Sequence, residues 1–172
     1  MGKHLVRALT LLAPLLAAAG CASSDNDSQS FSRQWQSATE DEEAVKPLPP
    51  SRDLREVVTD ARRWSDLWGG LPPEVDFKEE MVLVATVRVV EHPKDMPRIW
   101  RLRREEGKRD VSVLVRVRQV GGEFENKLAG KGGYHFVVLP REDGPFHWKD
   151  VRVVYDAEGD LDTLELVKAY DK

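Results

Sequence analysis

Val111, Val113, Val115 and Val117 alternate with Ser112, Leu114, Arg116 and Arg118, the period-two signature of a strand with two unlike faces. The preceding segment mirrors it. With Glu105 opposite Asp110 across Glu106-Gly107-Lys108-Arg109, Trp100 faces Val115 and Leu102 faces Val113 inside, while Arg101 faces Leu114 and Arg103 faces Ser112 outside. A slip of one residue would bury several arginines, so this hairpin register is favoured. Met81 to Val90 is almost unbroken apolar and rich in valine, which suits a strand buried on both faces. Leu54 to Thr59, Tyr134 to Leu139 and Val151 to Tyr155 supply further strands.

Between the first two of these strands the period changes. Ala61, Trp64, Leu67, Trp68 and Leu71 make one apolar stripe at helical spacing, with Arg62, Arg63 and Asp66 opposite. Thr59 or Asp60 is placed to cap the first turn, and Gly69-Gly70 with Pro72-Pro73 ends it. Trp64, Leu67 and Trp68, with Val75 and Phe77 beyond, are core candidates. Asp162 to Tyr170 fits either a helix or a strand, since Leu161, Leu164 and Val167 have helical spacing and Asp160 stands at a cap position. The pattern predicts a mostly β, α+β fold: an antiparallel sheet with one docked N-terminal helix and a possible C-terminal helix, over residues 51–170.

The N-terminus reads differently. Lys3, His4 and Arg7 precede an apolar run from Leu9 to Ala19, too short for the ~20 residues of a bilayer span but laid out as a secretory signal. Ala18-Ala19-Gly20-Cys21 resembles the lipobox of bacterial lipoproteins, which implies cleavage after residue 20 and acylation of Cys21. Cys21 is the one cysteine of the chain, so no internal disulfide forms despite export, and acylation accounts for the lone thiol. Multiple acyl chains hold a protein stably at a membrane without spanning it. Ala22 in place of aspartate resembles the outer-membrane sorting pattern. Residues 21–50 are then the lipidated cysteine and a tether. Residues 22–50 are polar, with six serines, the acidic run Glu40 to Glu43 and a close at Pro47-Leu48-Pro49-Pro50; this composition predicts disorder. As a coil its 29 residues reach roughly 30 Å. Phe31 and Trp35 are the exceptions, either incidental or a short motif for a partner.

Charge narrows the partner class. The 172 residues carry a net −4, and removing residues 1–20, with Lys3 and Arg7 and no acid, leaves 24 basic against 30 acidic residues. An overall acidic chain without a basic domain argues against nucleic acid. The local exception is the outer hairpin face with Arg101, Arg103, Arg116 and Arg118, and Arg98 and Arg104 nearby: a solvated face, or a basic stripe for an anionic partner or lipid headgroups.

At Trp64-x-x-Leu67-Trp68, Pro73-Glu74-Val75-Asp76-Phe77 and Met81-Val82, the chain resembles the PrcB-like domain of bacterial envelope lipoproteins, over about residues 55–156. Family members usually carry a Gly-Gly-Tyr turn soon after the strand corresponding to Met81 to Val90. Here Glu91-His92-Pro93-Lys94 stands there, and Gly132-Gly133-Tyr134 comes later. The resemblance implies a non-catalytic part in assembling or stabilising an envelope protease complex, with another envelope protein as partner.

Motifs of chemistry are sparse. No G-x-S-x-G elbow, H-E-x-x-H or C-x-x-C occurs, and Gly130-Lys131-Gly132-Gly133 lacks the full phosphate-loop pattern. These observations predict no cofactor and no catalytic residue. The rival reading is an envelope hydrolase acting on wall polymer or peptide, for which His135, His147 and Asp143 are the available residues, also as a metal site.

Overall fold

A computed structural model describes residues 29–37, 51–90, 95–104, 106–120, 132–158 and 160–170. Two four-stranded sheets form a sandwich. The elements run β1 (Gln34–Gln36), β2 (Leu54–Val58), α1 (Ala61–Ser65), β3 (Glu80–Val87), β4 (Arg98–Arg104), β5 (Val111–Val120), β6 (Gly133–Pro140), β7 (Phe146–Tyr155) and β8 (Leu161–Tyr170). The first sheet has the order β1-β6-β3-β2 and the second β4-β5-β7-β8. The mostly β class holds, with α1 docked as expected. The single sheet is replaced by two, and the C-terminal segment is a strand. Its apolar residues meet β7 in register, Val153 beside Leu164 and Val151 beside Leu166. Pairing with an existing sheet satisfies backbone groups that an isolated helix turn there would leave to water.

β5 and β7 pair in parallel, the one departure from antiparallel order among the described pairs. Parallel neighbours need a crossover, and here the chain makes it by visiting the other sheet as β6. This is why β6 and β7, although adjacent in sequence, do not form a hairpin.

The layers follow from alternation. Leu83, Ala85 and Val137 of the first sheet meet Ile99, Val113, Val115 and Trp148 of the second in the central core. On the far side of the first sheet Val82, Val84, Phe136 and Val138 are covered by Trp64 and Trp68, with Leu67, Val75 and Phe77 packed against them. β3 is therefore buried on both faces from Met81 to Ala85. Helix α1 is one short turn: Asp60 Oδ1 accepts from the Arg63 N–H at 2.9 Å. Beyond Ser65 the bonds tighten to Leu67 N–Trp64 O and Trp68 N–Ser65 O, which keeps both tryptophans on the sheet, their rings 5.2 Å apart and edge to face. The predicted stripe ends there, because Leu71, carried outward past Gly69-Gly70, is 85% exposed.

The β4–β5 register agrees with expectation at Leu102–Val113, Arg101–Leu114 and Arg103–Ser112, but Ile99 rather than Trp100 faces Val115. A bulge at Trp100 puts the indole on the outer face of the second sheet, in a small cluster with Leu114, Val151 and Val153. Keeping Trp100 inward would have turned Ile99, fully buried in the central core, to the outside.

The largest correction concerns the tether. Residues 29–37, within the stretch expected to be disordered, belong to the fold. Gln29 lies along the free edge of β4, its N–H donating to Trp100 O at 2.8 Å and its Oε1 accepting from the Leu102 N–H at 2.9 Å. Phe31 enters the central core. β1 then pairs with β6, Trp35 opposite Phe136, and Trp35 stacks at 5.6 Å on Trp64. Two aromatic side chains in a polar stretch supply the burial that its average composition lacks. The rest of residues 21–50, Cys21 included, lies outside the described residues.

Candidate functional site

Among the described residues each buried ionisable group has a structural partner. Arg55 of β2 makes a bidentate pair with Asp150 of β7, at 2.7 and 2.9 Å, and donates to the carbonyls of Leu54 and Thr86. Tyr170 of β8 donates to Asp150 Oδ2 at 2.9 Å. Burial, and then the charge of Asp150, push the Tyr170 hydroxyl up to about 12. This triad bolts the two sheets together at their β2/β8 side.

His135 of β6 does so at the opposite side. Its Nδ1 accepts from the Ile99 N–H at 2.8 Å, which fixes a proton on Nε2, 2.8 Å from the Gln34 Oε1 acceptor. Burial, with the charges of Arg98 and Arg116, lowers its pKa to about 3, so the ring is neutral. His147 sits on β7, 3.7 Å from Asp110; His135 is in the other sheet. Asp143 is exposed in the turn between β6 and β7. The three residues of the rival hydrolase reading are thus not brought into one site. Among the described residues no group of three or more His, Cys, Asp and Glu is placed to hold a metal ion.

The four arginines of the predicted stripe do not form one surface. The Arg101 guanidinium lies over the Trp100 ring at 4.5 Å from its centroid. Arg103 is exposed beside it. Arg116 is only 6% exposed; burial and then the charge of Arg98 lower its pKa to about 10, with the Tyr155 hydroxyl hydrogen-bonded to it. Arg118 follows a bulge between Arg116 and Arg118, pairs with Arg152, and is 3.9 Å from Asp95 in a separate depression. The bulge, invisible in a clean alternation, moves it off the face that Arg116 shares with Leu114.

What the outer face of the second sheet does offer is a groove of about 940 Å³. Leu114, Val151, Leu164 and Leu166 line it, with Arg103, Lys108 and Lys149 among its charged residues. Leu166 is 62% exposed on β8. Asp110 and His147 belong to the lining too. Its β7 and β8 half was not foreseen, because it exists only once β7 pairs in parallel with β5 and the C-terminal segment adds as a strand.

No helix among the described residues is long and apolar enough to cross a membrane. Comparisons with protein-family models, with curated proteins and with solved structures return no match to this chain.

Proposed function

We propose that this chain is a lipid-anchored envelope protein, probed by its partners through the second sheet, which acts as a non-catalytic binding or scaffolding subunit. The groove on the outer face of β5, β7 and β8 carries this reading: the exposed Leu166, beside Arg103, Lys108 and Lys149 in a lining of mixed polarity, suits a partner polypeptide with acidic and apolar side chains. The lipobox-like Ala18-Ala19-Gly20-Cys21 supports acylation and envelope location, in the outer membrane of a two-membrane bacterium. The PrcB-like segments Trp64-x-x-Leu67-Trp68 and Val75-Asp76-Phe77 support a part in holding together an envelope protease complex. Consistent with such a role, the buried polar groups Arg55, Asp150 and His135 are engaged in bonds between sheets.

Affinity capture of the acylated protein from detergent-solubilised membranes tests this. The wild type is expected to retain a partner in fixed stoichiometry, and Lys149→Glu with Leu166→Asp to lose it without a change in unfolding midpoint. A bait that comes down bare, or a partner indifferent to both substitutions, contradicts the reading.

A further inference from the structure

The first described residues of the chain lie at one margin of the sandwich, and the edge strand at that margin is rich in arginine. Gln29 is bonded to Trp100 and Leu102 of β4, the edge strand of the second sheet. Cys21 precedes it by eight residues, which at full extension span at most about 28 Å. The 29-residue leash that composition suggests is therefore cut short by the clasp of residues 29–37.

Charge is distributed along the same axis. From Arg98 to Arg109 there are six basic residues, Arg98, Arg101, Arg103, Arg104, Lys108 and Arg109, against Glu105 and Glu106, in a chain whose net charge is −4. β8, at the other edge of the sheet and about 14 Å away at three strand spacings, carries Asp162 and Glu165 against Lys168, with Asp160 just before it; Glu165 is paired with Arg152 of β7, so Asp160 and Asp162 carry the acidic character.

We propose that β4 is the membrane-facing margin of the domain, its arginines Arg98, Arg101 and Arg103 lying against anionic lipid headgroups, while Arg104 is held by Glu142 at 2.5 Å. The proposal rests on acylation of Cys21. A short leash joined to β4 holds this edge near the bilayer, and each basic residue at an anionic surface adds to the attraction. The acidic β8 edge is repelled by the same surface and points away. The outer face of the second sheet then stands across the membrane plane, so its groove opens sideways, toward a neighbour anchored in the same membrane. Attraction of this kind fades as salt shortens the Debye length.

The test uses the full acylated protein in vesicles of phosphatidylcholine, with or without phosphatidylglycerol, and a headgroup-attached quencher. A fluorophore is placed at Ser32→Cys, exposed three residues after the Gln29 clasp on β4, or at Thr163→Cys, exposed on β8. The expected result is deeper quenching at position 32 than at 163 in anionic vesicles, with loss of that asymmetry in Arg98→Glu/Arg101→Glu, neither of which lines the groove, or in high salt. Equal quenching at the two positions, or an asymmetry that survives charge reversal and salt, overturns the proposal. Flotation with neutral vesicles reads the anchor separately: a protein that does not float overturns the acylation reading and this orientation with it, whereas one that floats without asymmetry overturns the orientation alone.

Discussion

Asp150 accepts three hydrogen bonds, two from Arg55 and one from Tyr170, in an interior between two sheets. A buried ion pair is costly to break from one side, because the remaining charge keeps its desolvation penalty. Asp150→Ala is expected to cost about 3–5 kcal/mol in denaturant unfolding, while Arg55→Met with Asp150→Leu together cost far less than the sum of the single changes. Additive losses in that double-mutant cycle would contradict the bolt. His135 makes a pH-dependent contribution. Its folded pKa of about 3 lies below the ordinary value near 6.5, so the unfolded chain takes up the proton first. Its contribution is complete above about pH 6.5 and is lost at about 1.4 kcal/mol per pH unit as pH falls toward 3. Comparing wild type with His135→Gln between pH 6.5 and 5 isolates it, because carboxylates titrate mostly lower; parallel curves would contradict the assignment. Neither residue's role was legible in sequence. An arginine in Leu54 to Thr59 and an aspartate in a valine-rich strand look like solvated positions until two separate sheets bring their side chains together.

At the scale of elements, legibility tracked how locally a segment's partners lie. The two-faced burial of β3 and the cap of α1 by Asp60 need only the strand or turn itself, and both are there. The β4–β5 hairpin was readable up to Leu102 and failed at Trp100, where a bulge leaves no trace in the alternation of the two strands. β8 was ambiguous because its helical spacing and its fit to β7 cannot be separated without β7 in place. β1 was missed since its stability comes from Phe31 and Trp35 landing in two different cores, one on each side of the first sheet. That yields a sharp expectation: Phe31→Ala should destabilise by about 3 kcal/mol or more, as large-to-small changes at packed aromatic sites do, and the partly buried Trp35→Ala measurably but by less. A tether would tolerate both with almost no change in unfolding midpoint. Gly133, at the start of β6, is a companion case. A Cβ there would stand 2.8 Å from Pro97 Cδ and 2.9 Å from Val90 Cγ2, so Gly133→Ala is expected to lower the thermal midpoint, whereas Gly70→Ala, with open space around it, is not.

For the molecule as a whole, the two margins of the sandwich differ in chemistry. One is closed by residues 29–37 and by His135 against Ile99, and bears the β4 arginines; the other is closed by Arg55, Asp150 and Tyr170, and bears the acidic strand β8. The groove lies between them on the outer face of the second sheet. The mostly β class could be read from period-two stretches, but the groove could not, since its walls come from strands made neighbours by a crossover through the other sheet. Partner binding and the membrane-facing margin share one premise, that acylated Cys21 holds the domain close to a bilayer. Intact mass of the protein extracted from membranes tests that premise most directly. The account predicts a mature chain that begins at Cys21 and carries the added mass of acyl groups. A chain starting at another residue, or a free thiol at Cys21, would contradict it.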